Sequence, residues 1–279
     1  MKCAWDQLLA ILPQQLRSEV DRQGRNALQE LRLRLGQPIE LVTGSGSLWL
    51  KETAREEHMA FIVNTASRYS PWASATVGNG YITAPGGHRI GLCGECVMQN
   101  GMMTGIRRIT SLCVRVARDF PGIAERIRVG TGSVLLLGPP GSGKTTLLRD
   151  LIRQISQNEK GSICVVDERG ELFPQGANFE WGRRTDVLTG CGKPQGVMTA
   201  LKTMGPGWIA VDEITAQEDC QALLQAGWCG VKLLATAHAA DRQDLFHRKI
   251  YEPLAKSHLF CTLIVLQPDK SWRMERMDI

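Results

Sequence analysis

Eight consecutive residues, Gly138, Pro139, Pro140, Gly141, Ser142, Gly143, Lys144 and Thr145, have the types and order needed to wrap a polyphosphate. Glycines let backbone N–H groups turn inward around phosphate oxygens, and the helix that follows adds the positive end of its dipole. Lys144 is then expected to reach the β- and γ-phosphates of ATP, Thr145 to place a hydroxyl on Mg²⁺, and Thr146 to complete the binding segment. Three other places carry matching chemistry. The apolar run Trp208 to Val211 ends in Asp212 and Glu213. Asp212 is suited to hold Mg²⁺ through water, and Glu213 to polarise the attacking water as general base. Ile163 to Val166 ends in Asp167-Glu168-Arg169, where Glu168 either orients water or metal or pairs with Arg169. A fourth run, from Val231, ends in Thr236-Ala237-His238, which sets His238 to sense the γ-phosphate by hydrogen bonding.

Such residues act together only if their strands lie side by side. From Ser133 onward the pattern alternates: a strand to Leu137, a helix to about Gln157, a strand at Ser162 to Val166, a helix around Gly196 to Met204, a strand at Trp208, a helix from Gln217 to Trp228, and a strand from Val231. That order predicts a three-layer α/β core with a mostly parallel sheet, whose carboxyl edge is where ligands bind. Leu259 to Leu266 and Trp272 to Met277 read as a closing hairpin.

Upstream, Trp5 to Leu12 and Gln14 to Gln23 have helical spacing, whereas Leu31, Leu33 and Leu35 alternate with arginines as a half-buried strand does. A second strand is expected at Ile39 to Val42 and a helix at about 54–69. Between Gly80 and Arg118 several short strands are expected, broken at Gly86-Gly87, Gly91, Gly94 and the hairpin signal Asn100-Gly101. Phe120-Pro121-Gly122 marks a boundary. The expected organisation is an N-terminal helical segment (1–25), a smaller α+β domain (26–120) and a P-loop domain (121–279).

With 279 residues, 43% of them hydrophobic, the chain can bury a substantial core. The formal charge of +5 is spread among acidic residues with no basic tail, so a nucleic-acid groove is not favoured. The first apolar run is broken by Asp6, Gln7 and Pro13, and no run reaches the roughly 18 apolar residues of a membrane span. A soluble, cytosolic chain is the expectation. Nine cysteines, an odd number, read as reduced thiols. Cys93 and Cys96 form one CxxC without a second pair, so they are read as buried strand thiols, not as a zinc site. There is no lid and acceptor segment of a metabolic kinase after the loop, and no LSGGQ-like transporter signature.

The order phosphate loop, VVDERGE, IAVDEI, ATAHAAD resembles the secretion and type IV pilus assembly ATPases, and LRLRLGQPIELVTG resembles the paired strands that open their N-terminal domain. More narrowly, GGHRIGLCGECV and RRTDVLTGCGKPQGVMTALKTMGPGWIAVDEI are similar to the stage III AA branch of that superfamily in endospore formers. The resemblance implies a RecA-like P-loop NTPase core, ATP hydrolysis, and a ring, a homo-hexamer with ATP between subunits. It makes Arg89, Arg107 and Arg108 candidates for reaching a neighbour's nucleotide. It also implies partners among membrane proteins of the sporulation channel joining mother cell and forespore, with this subunit on the mother-cell cytoplasmic side. Two positions depart from the wider family: Asp212 stands where many secretion ATPases have Gly, and Thr215 where an arginine often follows. A nucleic-acid-dependent P-loop ATPase remains the alternative.

Overall fold

The structure, a computed structural model, describes residues 1–67, 80–158, 161–174 and 176–277. Two units are distinguished: residues 1–119 with 174–179, and residues 120–173 with 180–279.

In the first unit α1 (Trp5–Ala10) and α2 (Gln14–Ala27) precede β1 (Leu28–Arg34), β2 (Pro38–Thr43), β3 (Gly46–Thr53), α3 (Glu56–Ala66), β4 (Tyr81–Thr83), β5 (Arg89–Gln99) and β6 (Met102–Arg115). The six strands form an antiparallel sheet in the order β3-β2-β1-β6-β5-β4. Alternation in β1 and β2 buries Leu31, Leu33, Ile39 and Leu41. Leu8, Leu12, Leu16 and Val20 enter the same core, so residues 1–25 form part of this unit and not a segment apart. The helix expected at 54–69 is observed as α3, and residues 68 and 69 lie outside the described ones. Strand β3 escaped sequence reading because it is an edge strand, largely exposed, with no buried face to impose alternation.

Instead of several short strands, Gly80 to Arg118 contains one long β5–β6 hairpin. Its ladder shifts register between Cys93 and Gly94, Glu95 and Cys96, and Val97 and Met98, so the glycine-rich irregularities become bulges without ending the strands. Asn100 (φ 51°) and Gly101 (φ 77°) make the turn, with the positive angles a two-residue hairpin loop needs. Beyond Cys93 and Ser111 neither β4 nor β1 pairs with the hairpin. Cys93 and Cys96 are therefore exposed, against the expectation of buried thiols.

His88 is the polar pin of this unit. It is buried, accepts the Ala117 N–H at Nδ1 (3.1 Å) and donates from Nε2 to the Ala4 carbonyl (3.0 Å). Burial holds its pKa below the ordinary value, opposed by the Ala4 contact. The unfolded chain thus takes up a proton that the folded unit refuses, and stability falls as pH drops below about 6.5. We expect the thermal midpoint to fall over that window more steeply than in His88→Gln; equal slopes would remove His88 from the explanation.

The second unit runs β7 (Ser133–Leu137), α4 (Lys144–Asn158), β8 (Ile163–Asp167), β9 (Thr185–Thr189), α5 (Lys193–Thr203), β10 (Trp208–Ile214), α6 (Gln217–Trp228), β11 (Lys232–Ala237), α7 (Arg242–His247), α8 (Glu252–Lys256), β12 (Phe260–Leu266) and β13 (Trp272–Arg276). The sheet order is β13-β12-β7-β11-β10-β8-β9, parallel throughout except for β13, which turns back on β12. Every residue of β7 and β8 is buried, as expected for strands covered on both faces. The central neighbours β7, β11, β10 and β8 all end at the same edge, which gathers the four motifs into one row. No described helix is long and apolar enough to cross a membrane.

Candidate functional site

Strand β7 delivers the chain to Gly138, whose φ is 157°. A Cβ there would stand 2.6 Å from Ser142 Oγ and 2.9 Å from the Leu266 carbonyl oxygen, so only glycine fits. Gly141 and Gly143 also have positive φ, and the loop closes into α4 at Lys144. Pro139 and Pro140 carry no N–H, which leaves Gly141 to Thr145 as the loop's donors. Thr146 lies in the first turn of α4. Lys144 is buried, and its Nζ donates to the carbonyls of Gly138 (2.8 Å) and Pro139 (2.9 Å). Burial lowers its pKa, while Asp212 and Glu213 pull the other way. Ser142 Oγ is buried without a partner among the described residues.

Thr145 Oγ1 donates to Asp212 Oδ2 at 2.7 Å, and Thr236 Oγ1 donates to Asp212 Oδ1 at 2.6 Å. Successive strand residues point to opposite faces, so a regular β10 would send Asp212 and Glu213 apart. The pairing of β10 with β11 instead shifts between Val211 and Ile214, and Glu213 takes φ 55°. This bulge lets both acids serve one edge. A non-glycine residue in that conformation costs about 1–3 kcal/mol and persists only where its surroundings hold it. Thr236 is part of the hold, because its Oγ1 also accepts the Glu213 N–H at 2.7 Å.

His238 links base and loop. Its Nε2 lies 2.6 Å from Glu213 Oε1 and its Nδ1 3.2 Å from Lys144 Nζ. An ammonium can only donate, so Nδ1 accepts and Nε2–H donates to the carboxylate. Burial pushes the Glu213 carboxyl up, but the His238 contact with the charges of Arg169 and Lys193 prevails and holds it below the ordinary value. Glu168 does not pair with Arg169. Its carboxylate accepts from Lys193 Nζ at 2.6 Å, while Arg169 lies 3.7 Å from Glu213. Lys193 opens α5, 25 residues from Glu168, a separation that adjacent-residue reasoning overlooks. Asp167 accepts the N–H groups of Glu171, Leu172 and Phe173 (2.8, 3.0 and 2.9 Å) and so braces the turn after β8.

Thr236 and Lys193 were missed as site residues. For Thr236 a signal existed: it stands two places before His238, the spacing that puts both on one face of a strand. The three candidate arginines belong to the first unit, each engaged there. Arg89 stacks over the Tyr81 ring at 4.2 Å, Arg107 pairs with Glu95, and Arg108 lies 3.3 Å from Glu56.

A model of the family described as sporulation stage III, protein AA, matches residues 4–274. Stage III sporulation protein AA of Bacillus subtilis (strain 168) is 34% identical over 274 residues, which span 91% of this chain and 88% of that protein. Among solved structures, the Legionella pneumophila ATPase DotB superposes with a TM-score of 0.60 at 18% identity, covering 93% of this chain and 78% of that one. The pilus retraction motor PilT, solved with bound ADP, gives a TM-score of 0.63 at 14% identity, covering 94% and 83%. At those identities the likeness speaks for fold: a RecA-like P-loop core with a mostly parallel sheet, preceded by a smaller α+β domain.

Proposed function

Since this chain belongs to the sporulation stage III protein AA family, we propose that it is a Mg²⁺-dependent ATPase of the secretion-motor kind, energising a membrane-bound sporulation channel between mother cell and forespore. The convergence of Thr145, Asp212, Glu213 and His238 around Lys144 carries this reading. The N–H groups of Gly141 to Thr145 bind the β- and γ-phosphates, and Lys144 exchanges its two carbonyl partners for phosphate oxygens. The hydroxyl of Thr145 and the carboxylate of Asp212 are a hard-oxygen pair at one corner of the loop, a donor set that suits Mg²⁺. When bound, the ion supplies positive charge to the β- and γ-phosphate oxygens as negative charge shifts toward ADP.

Glu213 orients a water and takes its proton as the water oxygen bonds to the γ-phosphorus; the bond to the bridging oxygen breaks and ADP leaves. His238, touching both Lys144 and Glu213, reports phosphate occupancy to the base. Loss of the γ-phosphate removes the contacts that Lys144, Glu213 and His238 make with it, and that release is the source of movement. In this reading the chains form a homo-hexameric ring in the cytoplasm, peripheral to the mother-cell membrane through their partners. Arg89, Arg107 or Arg108 of one chain serves the nucleotide of the next, with Glu168 orienting water or metal.

Phosphate release from ATP by the purified chain should fall to background when EDTA removes Mg²⁺, and undiminished release in EDTA would sink the reading. In sporulating cells, crosslinkers placed on residues 1–119 should capture a membrane protein of the channel; capture of soluble proteins alone would remove the channel from the proposal.

A further inference from the structure

Glu213 sits in a left-handed backbone conformation at a bulge, and Thr236 secures it from the Asp212 side. A second hydroxyl secures the other side. Tyr251 ends a 3-10 turn, Lys249–Tyr251, outside every motif. Its side chain is buried, and its hydroxyl donates to the Ile214 carbonyl at 3.2 Å and accepts the His238 N–H at 3.1 Å. Ile214 follows Glu213 directly, and His238 follows the last residue of β11. One phenol oxygen therefore ties together the exits of two adjacent strands, next to the proposed base and next to its histidine. Burial raises the phenol pKa despite the His238 N–H and Arg248, so the hydroxyl keeps the proton that it donates. The turn carrying Tyr251 is itself anchored, since Cys220 Sγ of α6 donates to the Ile250 carbonyl at 3.2 Å.

A phenylalanine would fill the same space. Only the hydroxyl reaches both strands, and a buried hydroxyl is costly unless bonded. We infer that Tyr251 is a positioning residue for hydrolysis, its hydroxyl setting the spacing of the β10 and β11 exits at which His238 meets Glu213. This rests on the ATPase reading above. Glu213 faces His238, Arg169 and Lys193, with Lys144 beyond His238; of these, Tyr251 acts through His238.

In the full chain, Tyr251→Phe is expected to lower kcat roughly tenfold, the scale of one lost buried hydrogen bond at the reacting pair, while KM for Mg·ATP stays within about twofold. In a His238→Gln background the same substitution should add little. Unchanged kcat in Tyr251→Phe would overturn the inference. So would an equal fold-loss in both backgrounds, or joint loss of nucleotide binding and turnover, which would make Tyr251 merely structural. If the unaltered chain itself shows no turnover, the ATPase reading fails first and the role of Tyr251 with it; turnover unaltered by Tyr251→Phe defeats the inference alone.

Discussion

Glu213→Gln is expected to bind ATP as tightly as the unaltered chain and to hydrolyse it about 10²–10⁴-fold more slowly, the usual contribution of a positioned general base. The amide has nearly the shape of the carboxylate, and its oxygen can still accept from His238 Nε2, 2.6 Å away in the parent. The backbone N–H bond to Thr236, which holds the φ 55° conformation, is untouched. What disappears is the ability to take a proton, together with the negative charge facing Arg169 and Lys193. The loss should therefore appear in kcat with KM nearly constant. Steady-state phosphate release beside equilibrium binding of a fluorescent ATP analogue separates the two, and a parent-like rate in the variant would remove Glu213 from the chemistry.

Lys144→Ala should fail earlier, at binding. A hydrogen bond to a charged group contributes about 1.5–3 kcal/mol, so losing one lysine contact to the phosphates weakens binding by roughly 10–150-fold. Turnover falls at least as far, because the same ammonium holds His238 Nδ1 as an acceptor and thus directs Nε2–H at Glu213. The fold should survive. Lys144 is a buried charge whose protonated form burial disfavours, and of the two carbonyls its removal frees, that of Pro139 is partly exposed to water. Nucleotide titration with a thermal midpoint measured on the same sample checks both halves; parent-like affinity in a folded variant would contradict the role.

The second unit's core was legible in the sequence because β7, β8, β10 and β11 are short apolar runs ending in polar residues, the mark of strands buried on both faces with their ligands at one edge. Strand β9 was not, since its part-buried edge residues carry no such run. In the first unit the alternation of β1 and β2 was readable, but the length of the β5–β6 hairpin was not. Gly91 and Gly94 look like strand breakers until bulges absorb the irregularity between them and the tip. Buried Cys93 and Cys96 would have required a covering layer, and the hairpin outruns its sheet neighbours there.

Within the site, partners close in sequence or carried by a known loop pattern were visible. Those set by tertiary contact were not. Glu168 meets Lys193 and not Arg169, and Arg169 turns to Glu213. The bulge that aligns Asp212 with Glu213 leaves no trace in residue type, because a glutamate at positive φ is held by Thr236 from the next strand and not by any preference of its own. Tyr251, a lone tyrosine before Glu252-Pro253, offers no signal at all until its hydroxyl is seen between two strands.

Single-turnover cleavage of radiolabelled ATP with protein in excess and Mg²⁺ present tests most directly whether this sheet edge is a hydrolytic site, because it reads the bound γ-phosphate without waiting for product release. The parent chain should convert its bound ATP to ADP, Glu213→Gln should hold ATP intact, and Lys144→Ala should hold far less ATP than either. Bound ATP left uncleaved by the parent, or cleaved at the parent's rate by Glu213→Gln, would contradict the assignment.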